Sequence, residues 1–260
     1  EGINGSICAL SSYVDKLIEL IQSQFENTID TKINYIDKQA FRRFKVKHKA
    51  EIVTMGVAEV EPANQVGNYV DAMKWNELIL DPETIVIDTR NHYEVSIGTF
   101  QDSLNPHTDN FREFPSWVEN ELRPYIQNNP KKKIAMFCTG GIRCEKATSL
   151  LLQKGFKDVY HLEGGILRYL ELIPEEQSLW HGECFVFDKR VSLNNKLLPG
   201  DHHLCFACGM PLNSKDRKNI NYIRGIQCDF CKGAFTEDDR ARFAERQRQF
   251  DRKSKNFSNI

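Results

Sequence analysis

Three short apolar runs constrain this chain most: Ile85-Val86-Ile87-Asp88, Lys133-Ile134-Ala135-Met136-Phe137 and Val159-Tyr160-His161-Leu162. Helical periodicity separates and follows them, at Trp117 to Ile126, Glu145 to Lys154 and Ile166 to Leu172. A strand that is apolar on consecutive residues has no face to give to water. Strands of this kind alternating with helices predict an α/β fold, a parallel sheet with helices on both faces. Gly155 stands where the middle helix should stop, as a C′ residue.

The flanks read differently. Ile3 to Leu10 is strand-like, Ser11 and Ser12 offer N-caps, and Leu17, Ile18, Leu20 and Ile21 follow at helical spacing. Phe44 to Met55 is strand-like again, with Lys45, Lys47 and Lys49 on one face of a period of two. These elements predict a small α+β domain over residues 1–60 that lacks its opening strand or strands. The chain starts at Glu1 with no initiating methionine, which reads as an N-terminally incomplete sequence. Residues 61–68, rich in Pro, Asn and Gly, read as a linker. The sheet domain then takes residues 68–173. Residues 180–260 form a last segment with a strand at Cys184 to Asp188, paired cysteines, and a helix opened by Thr236-Glu237-Asp238-Asp239 that runs towards Arg252. Lys253 to Ile260 read as a polar, frayed tail.

Composition narrows the class. The 260 residues carry 35 Lys and Arg against 36 Asp and Glu, a formal net charge of −1, so any grip on nucleic acid must come from local patches. No apolar stretch approaches the roughly 18 residues a membrane span requires. The longest, Ile52 to Ala58 and Ile134 to Cys138, are strand-sized. Of the eight cysteines, four form two Cys-x-x-Cys pairs and one sits in a loop suited to reaction. That usage fits a reducing compartment, and the cytoplasm is expected.

The reactive loop is Cys138-Thr139-Gly140-Gly141-Ile142-Arg143, placed between an apolar strand and a helix. In open α/β sheets this is where ligands bind. The two glycines let main-chain N–H groups curl into an anion nest, the helix adds its positive end, and Arg143 adds a full charge. All three favour the thiolate of Cys138, a nucleophile that can also carry a sulfur atom as a persulfide. Four residues separate Cys138 from Arg143. That cradle is one residue shorter than the one in cysteine phosphatases, so it suits sulfur better than a phosphoryl group. Cys144 is read as a packing residue rather than a resolving thiol. Cys8 and Cys184 are read as core residues on strands.

Cys205-x-x-Cys208 and Cys228-x-x-Cys231 stand nineteen residues apart. This is the spacing of a closed tetrahedral zinc site, structural because no position is left open. Gly209 and Gly233 are expected to give the two turns room, while His202 and His203 are left as loop residues. Two basic clusters are candidates for phosphate contacts: Arg42, Arg43, Lys45, Lys47 and Lys49, and the last helix with Arg240, Arg242, Arg246, Arg248 and Arg252. A third, Lys131-Lys132-Lys133, lies at the wrong end of its strand and reads as a solvated face.

Residues from about 68 to 172 resemble a rhodanese domain. Ile87-Asp88-Thr89-Arg90, Tyr93-Glu94, Gly98 and Glu163-Gly164-Gly165 match the family's motifs, and Thr99 departs from the His that many members carry. Three separated strings are similar to the bacterial rhodanese-domain tRNA uridine hydroxylases: Glu1-Gly2-Ile3-Asn4-Gly5, Cys-Thr-Gly-Gly-Ile-Arg-Cys-Glu-Lys at 138–146, and Gly182-Glu183-Cys184-Phe185-Val186-Phe187-Asp188. The resemblance implies a ferredoxin-like or acylphosphatase-like domain ahead of the rhodanese domain. It also implies 5-hydroxylation of the wobble uridine, position 34, of tRNA. Molecular oxygen would be co-substrate, and Cys138 the active-site cysteine. In that reading Arg143 and the loop residues Thr139, Gly140, Gly141 and Ile142 complete the site, Asp88 and Arg90 support it, and the anticodon loop is the partner. A sulfurtransferase that takes sulfane sulfur from a donor through Cys138 is the first alternative. A non-catalytic RNA- or protein-binding module is the second. No two-His-one-carboxylate motif and no dinucleotide fingerprint points to another way of activating oxygen.

Overall fold

Residues 2–26, 28–41, 43–128 and 132–257 of the computed structural model are described, without the side chains of 253–257. Contacts divide the chain into two compact units, Glu1–Ile52 with Phe187–Lys189, and Val53–Val186 with Arg190–Ile260.

In the first unit the regular element is α1 (Ser11–Gln22). Val14, Leu17, Ile18 and Ile21 form its half-buried stripe, at the spacing one helix face demands, and Leu20 falls off it and is exposed. The N-cap is Leu10 and makes no side-chain cap, so Ser11 and Ser12 are the first helical residues rather than caps. The expected strands at Ile3 to Leu10 and Phe44 to Met55 are not present: among the described residues no strand precedes Asn68. A period of two makes a strand only when a neighbour completes its hydrogen-bond ladder. Here neither stretch has one, and Phe44 and Val46 are exposed along with the lysines that alternate with them.

The second unit follows the predicted alternation. Strands β1 (Asn68–Val70) and β2 (Thr84–Asp88) flank helix α2 (Ala72–Leu80), and the short α3 (His92–Val95) and β3 (Gly98–Phe100) come next. A composite helix spans 111–127 and includes α4 (Phe114–Trp117) and α5 (Arg123–Gln127). Between these two, residues 118–122 widen to π geometry, and the Arg123 amide reaches back to Val118. Pro124 explains this, because it has no N–H to continue the α ladder. Then come β4 (Lys133–Phe137), α6 (Ile142–Gln153), β5 (Val159–Leu162) and α7 (Gly165–Leu172). After α6, the Gly155 amide bonds to Leu152 and the Phe156 amide to Leu151, the closing turn expected at Gly155.

The four main strands are parallel, in the order β1-β5-β4-β2. Consecutive strand residues go to opposite faces. Ile85, Ile87, Ile134 and Met136 join the 111–127 helix and α6 in one core, while Val86, Ala135 and Phe137 join α2 and α7 in the other. Both faces are therefore dry, which is why these strands read as unbroken apolar runs.

β3 pairs antiparallel with β6 (Trp180–Gly182), tying the last segment to the sheet domain. Cys184 to Asp188 yields only β7 (Cys184–Phe185), paired with β8 (Ser192–Leu193), and the pairing stops before Phe187. β9 (His203–Leu204) and β10 (Pro211–Leu212) pair beside the cysteines, and α8 (Glu237–Phe257) closes the chain. Thr236 and Asp239 cap α8 reciprocally, the Asp239 amide donating to the Thr236 hydroxyl oxygen and the Thr236 amide to the Asp239 carboxylate. Among the described residues no helix is long and apolar enough to cross a membrane.

Candidate active site and cysteine centre

β4 delivers Cys138 to the carboxyl end of the parallel sheet and α6 leaves from Ile142, so the loop is the strand-to-helix turn its sequence predicts. The Gly141 amide donates to Cys138 Sγ at 3.1 Å, from a backbone at φ 95° that favours glycine. From behind, the Ile166 amide donates to the Cys138 carbonyl at 2.9 Å and the Leu167 amide to the Thr139 carbonyl at 3.1 Å. A Cβ on Gly165 would stand 2.5 Å from that Cys138 oxygen. Glu163-Gly164-Gly165 is thus the spacer that lets α7 clamp the loop.

Burial, at 2% exposure, pushes the Cys138 thiol up. The Cys144 thiol, the Arg143 charge and the amides of Cys144 and Gly141 overcome it, and the net direction is down. Cys144 pays the opposite penalty, since burial and then the neighbouring Cys138 sulfur drive its thiol well above the ordinary range. Its Sγ lies 3.4 Å from the Thr89 hydroxyl, which itself bonds to the Phe137 carbonyl at 3.0 Å. A thiol held protonated in this way is a packing residue and a donor.

Arg143 is fixed by Glu94 through two parallel bonds, Nη1 to Oε2 at 2.6 Å and Nη2 to Oε1 at 2.8 Å. Burial would raise the Glu94 carboxyl, but Arg143 and then Arg90 hold it below its ordinary value. Glu94 also accepts the Asn91 amide at 3.1 Å, closing the N-terminus of α3. Beneath it, Arg90 grips Asp88 with Nε to Oδ1 at 2.9 Å and Nη2 to Oδ2 at 2.6 Å, and donates to the carbonyls of Glu94 and Gly98. Both side chains are fully buried, and the Arg90 guanidinium lies 5.1 Å from the Trp180 ring centre. Asp88 and Arg90 therefore brace the turn that carries Glu94 and do not themselves face a substrate. Thr99, in place of the usual His, donates to Asp88 Oδ2 at 2.8 Å and joins the same brace.

Sequence reasoning left Glu94 as a motif letter, although a carboxylate four residues after a buried Arg90 is the signal that finds it. Thr89 was likewise only a motif letter, and Tyr69 was missed altogether. Tyr69 Oη donates to Glu145 Oε1 at 3.0 Å, a contact across 76 residues that no local pattern announces.

The second cluster of sulfurs is Cys205, Cys208, Cys228 and Cys231, all within 4.8 Å of one another. Cys228 lies 3.7 Å from both Cys208 and Cys231, far beyond a disulfide bond of about 2.05 Å. Metal–sulfur bonds of about 2.3 Å in a tetrahedron put sulfurs about 3.8 Å apart, so the spacing fits a metal ion. The four sulfurs can hold one. Gly209 and Gly233 take positive φ, but a Cβ on either would touch nothing. The turns need their handedness rather than their room. His202 is not among these ligand atoms and bonds to Glu183 at 2.6 Å.

The basic residues are spread out. Arg43, Lys45, Lys47 and Lys49 are exposed in the first unit, and Arg42 lies outside the described residues, as does Lys131. On α8, Arg242 pairs with Asp239 and Arg248 with Glu245. Arg246 donates to the carbonyls of Phe206 and Gly225 and lies over the Phe243 ring, tethering α8 to the cysteine turns.

Residues 71–172 match the rhodanese-like domain family, and residues 1–52 match the UPF0176 acylphosphatase like domain family. Among curated proteins, the tRNA uridine(34) hydroxylase of Prochlorococcus marinus strain NATL2A is 55% identical over 252 residues, covering 96% of this chain and 79% of that protein. The protein of the same description from P. marinus strain MED4 is 53% identical over 258 residues, covering 98% and 83%. The one from Synechococcus sp. strain CC9605 is 52% identical over 259 residues, covering 97% and 79%.

Proposed function

The chain belongs to the tRNA uridine(34) hydroxylase family, and on that premise we propose that it hydroxylates C5 of the wobble uridine with Cys138 as nucleophile. The observation that carries the reading is the sulfur at the sheet's carboxyl end. Its thiol is held below the ordinary range, because the Cys144 thiol, a pinned arginine and main-chain amides favour the anion over the burial that opposes it. A thiolate adds to C6 of a pyrimidine and makes C5 electron-rich, the position to be oxygenated. Molecular oxygen is the co-substrate in this reading.

Arg143 acts by holding charge opposite the sulfur, the loop residues Thr139 to Ile142 by shaping the cradle, and Asp88 and Arg90 by bracing Glu94. Four thiolates at Cys205, Cys208, Cys228 and Cys231 hold a structural zinc that folds the segment of residues 180–260. The exposed Arg43, Lys45, Lys47 and Lys49 supply phosphate contacts to the anticodon arm, joined by Arg242. We assign Arg246 first to the tether described above. A tRNA substrate calls for the cytoplasm.

A second reading keeps support from one observation. The Gly141 amide donates to the Cys138 sulfur at 3.1 Å in a loop one residue shorter than that of cysteine phosphatases, a donor that a persulfide carrier would also use. Mass spectrometry of tRNA nucleosides decides between them, using cells that lack the gene and carry either this chain or its Cys138→Ala variant. The expected result is 5-hydroxyuridine at position 34 with the first and none with the second. Equal hydroxylation in both would end the nucleophile reading.

A further inference from the structure

We propose that Glu145, oriented by the Tyr69 hydroxyl, is the acid that protonates the substrate as Cys138 bonds to it. The proposal rests on Cys138 being the nucleophile. Glu145 belongs to the helix that begins at the reactive loop, and its amide donates to the Gly141 carbonyl at 3.2 Å. Its backbone is therefore fixed to the turn that holds the sulfur, and its carboxyl is held by the Tyr69 hydroxyl. Across the sheet, Tyr69 on β1 is in register with His161 on β5, and His161 with Met136 on β4, two residues before Cys138 and on the same face. The Tyr69 and His161 rings meet edge-on at 4.2 Å, which aims the phenol at Glu145. Tyr69 is half-exposed and Glu145 half-buried, so the pair meets solvent, whereas the Cys138 sulfur is covered.

Arg143 is tied to Glu94, and Glu163 acts on Tyr69. His161 is held neutral, because burial pulls it down to about 4. For Glu145 itself, burial raises the carboxyl, the Tyr69 bond lowers it, and the Cys138 charge raises it again, with a net rise. The thiolate thus helps Glu145 keep its proton while the nucleophile is free. When sulfur bonds to C6, its electron pair becomes the S–C bond, the C5=C6 pair moves into a C4=C5 double bond, and the C4=O4 pair moves onto O4. The thiolate charge that held the proton is gone, and Glu145 passes that proton to O4 and ends as the carboxylate. Atoms and charge balance within this step, and no oxidant enters it.

The pH profile of kcat/KM on a tRNA transcript tests this. The wild-type profile should be a bell, rising as Cys138 loses its proton and falling as Glu145 loses its own. Glu145→Gln should cost about 10²–10⁴-fold and abolish the falling limb. Tyr69→Phe keeps the acid but removes a bond that lowers it, so its falling limb should move to higher pH with a loss of less than about tenfold. Tyr69→Phe also carries the test alone if Glu145→Gln fails to fold. Glu145→Gln with wild-type activity and both limbs, or Tyr69→Phe with an unmoved falling limb, overturns the proposal. Cys138→Ala in the same assay separates the causes. If Cys138→Ala is dead and Glu145→Gln is fully active, only the acid assignment falls, whereas an active Cys138→Ala removes the nucleophile beneath it.

Discussion

Two groups of cysteines solve the same problem, an ionised sulfur inside a protein, in opposite ways. At Cys138 one sulfur faces several favourable partners: the Gly141 amide, the Cys144 thiol and the Arg143 charge. At the C-terminal cluster four sulfurs crowd within 4.8 Å and compete, so Cys205 is pulled down only while Cys208 is pushed up. There the mutual hydrogen bonds set the outcome, and all four sulfurs could ionise together only around a cation. The contrast teaches that reactivity follows from the ratio of donors to sulfurs, not from the residue type. A surplus of donors leaves an ionised lone pair free to react. A surplus of sulfurs makes a cage.

The sharpest way to break that comparison is to remove one sulfur from the cage. Cys228→Ser should drop bound zinc from about one equivalent to near zero, since a structural zinc site contributes of the order of 10 kcal/mol to folding. Proteolysis should then open residues around 203–235 while Cys138 stays reactive to iodoacetamide. Loss of both at once would mean that the two centres are not independent.

A smaller effect comes from Glu94→Gln. Removing one partner of a buried ion pair costs about 3–5 kcal/mol, read as a lowered thermal midpoint. The sign with pH is fixed. The Glu94 carboxyl is depressed in the folded state, so its contribution is present above its unfolded value near pH 4.5 and fades as pH falls through the lower folded one. Glu94→Gln should therefore lose part of the acid-side slope of the wild type, and an unchanged slope would count against the pair.

Least in size is Arg143→Lys, which keeps a charge but loses the two-bond grip on Glu94. The midpoint of Cys138 alkylation against pH should sit below the free-thiol value of about 8.5 in the wild type and rise by less than one pH unit in Arg143→Lys. A wild-type midpoint at or above the free value would remove the distinction between the two centres.

The sheet was legible because both of its faces are covered, which writes each strand as an apolar run. The loop was legible because two glycines and an arginine at fixed spacing have few other uses. Residues 3–10 and 44–55 misled because alternation records a side-chain pattern and says nothing about a partner strand. β1 went unseen since three residues at a sheet edge leave no period, and the linker reading absorbed Asn68. The Tyr69–Glu145 contact and the Glu94 grip on Arg143 were out of reach for another reason: they join residues 76 and 49 positions apart, and only the closed sheet brings them together.

The two bonds from the start of α7 to the carbonyls of Cys138 and Thr139, made through a glycine that tolerates no side chain, tie Cys138 to the far end of the domain. Its position is settled when the chain folds, before any RNA arrives, and docking need not rebuild it. The same bracing leaves little slack for a bulkier incoming atom, so selectivity at this cysteine begins in the rigidity of its backbone.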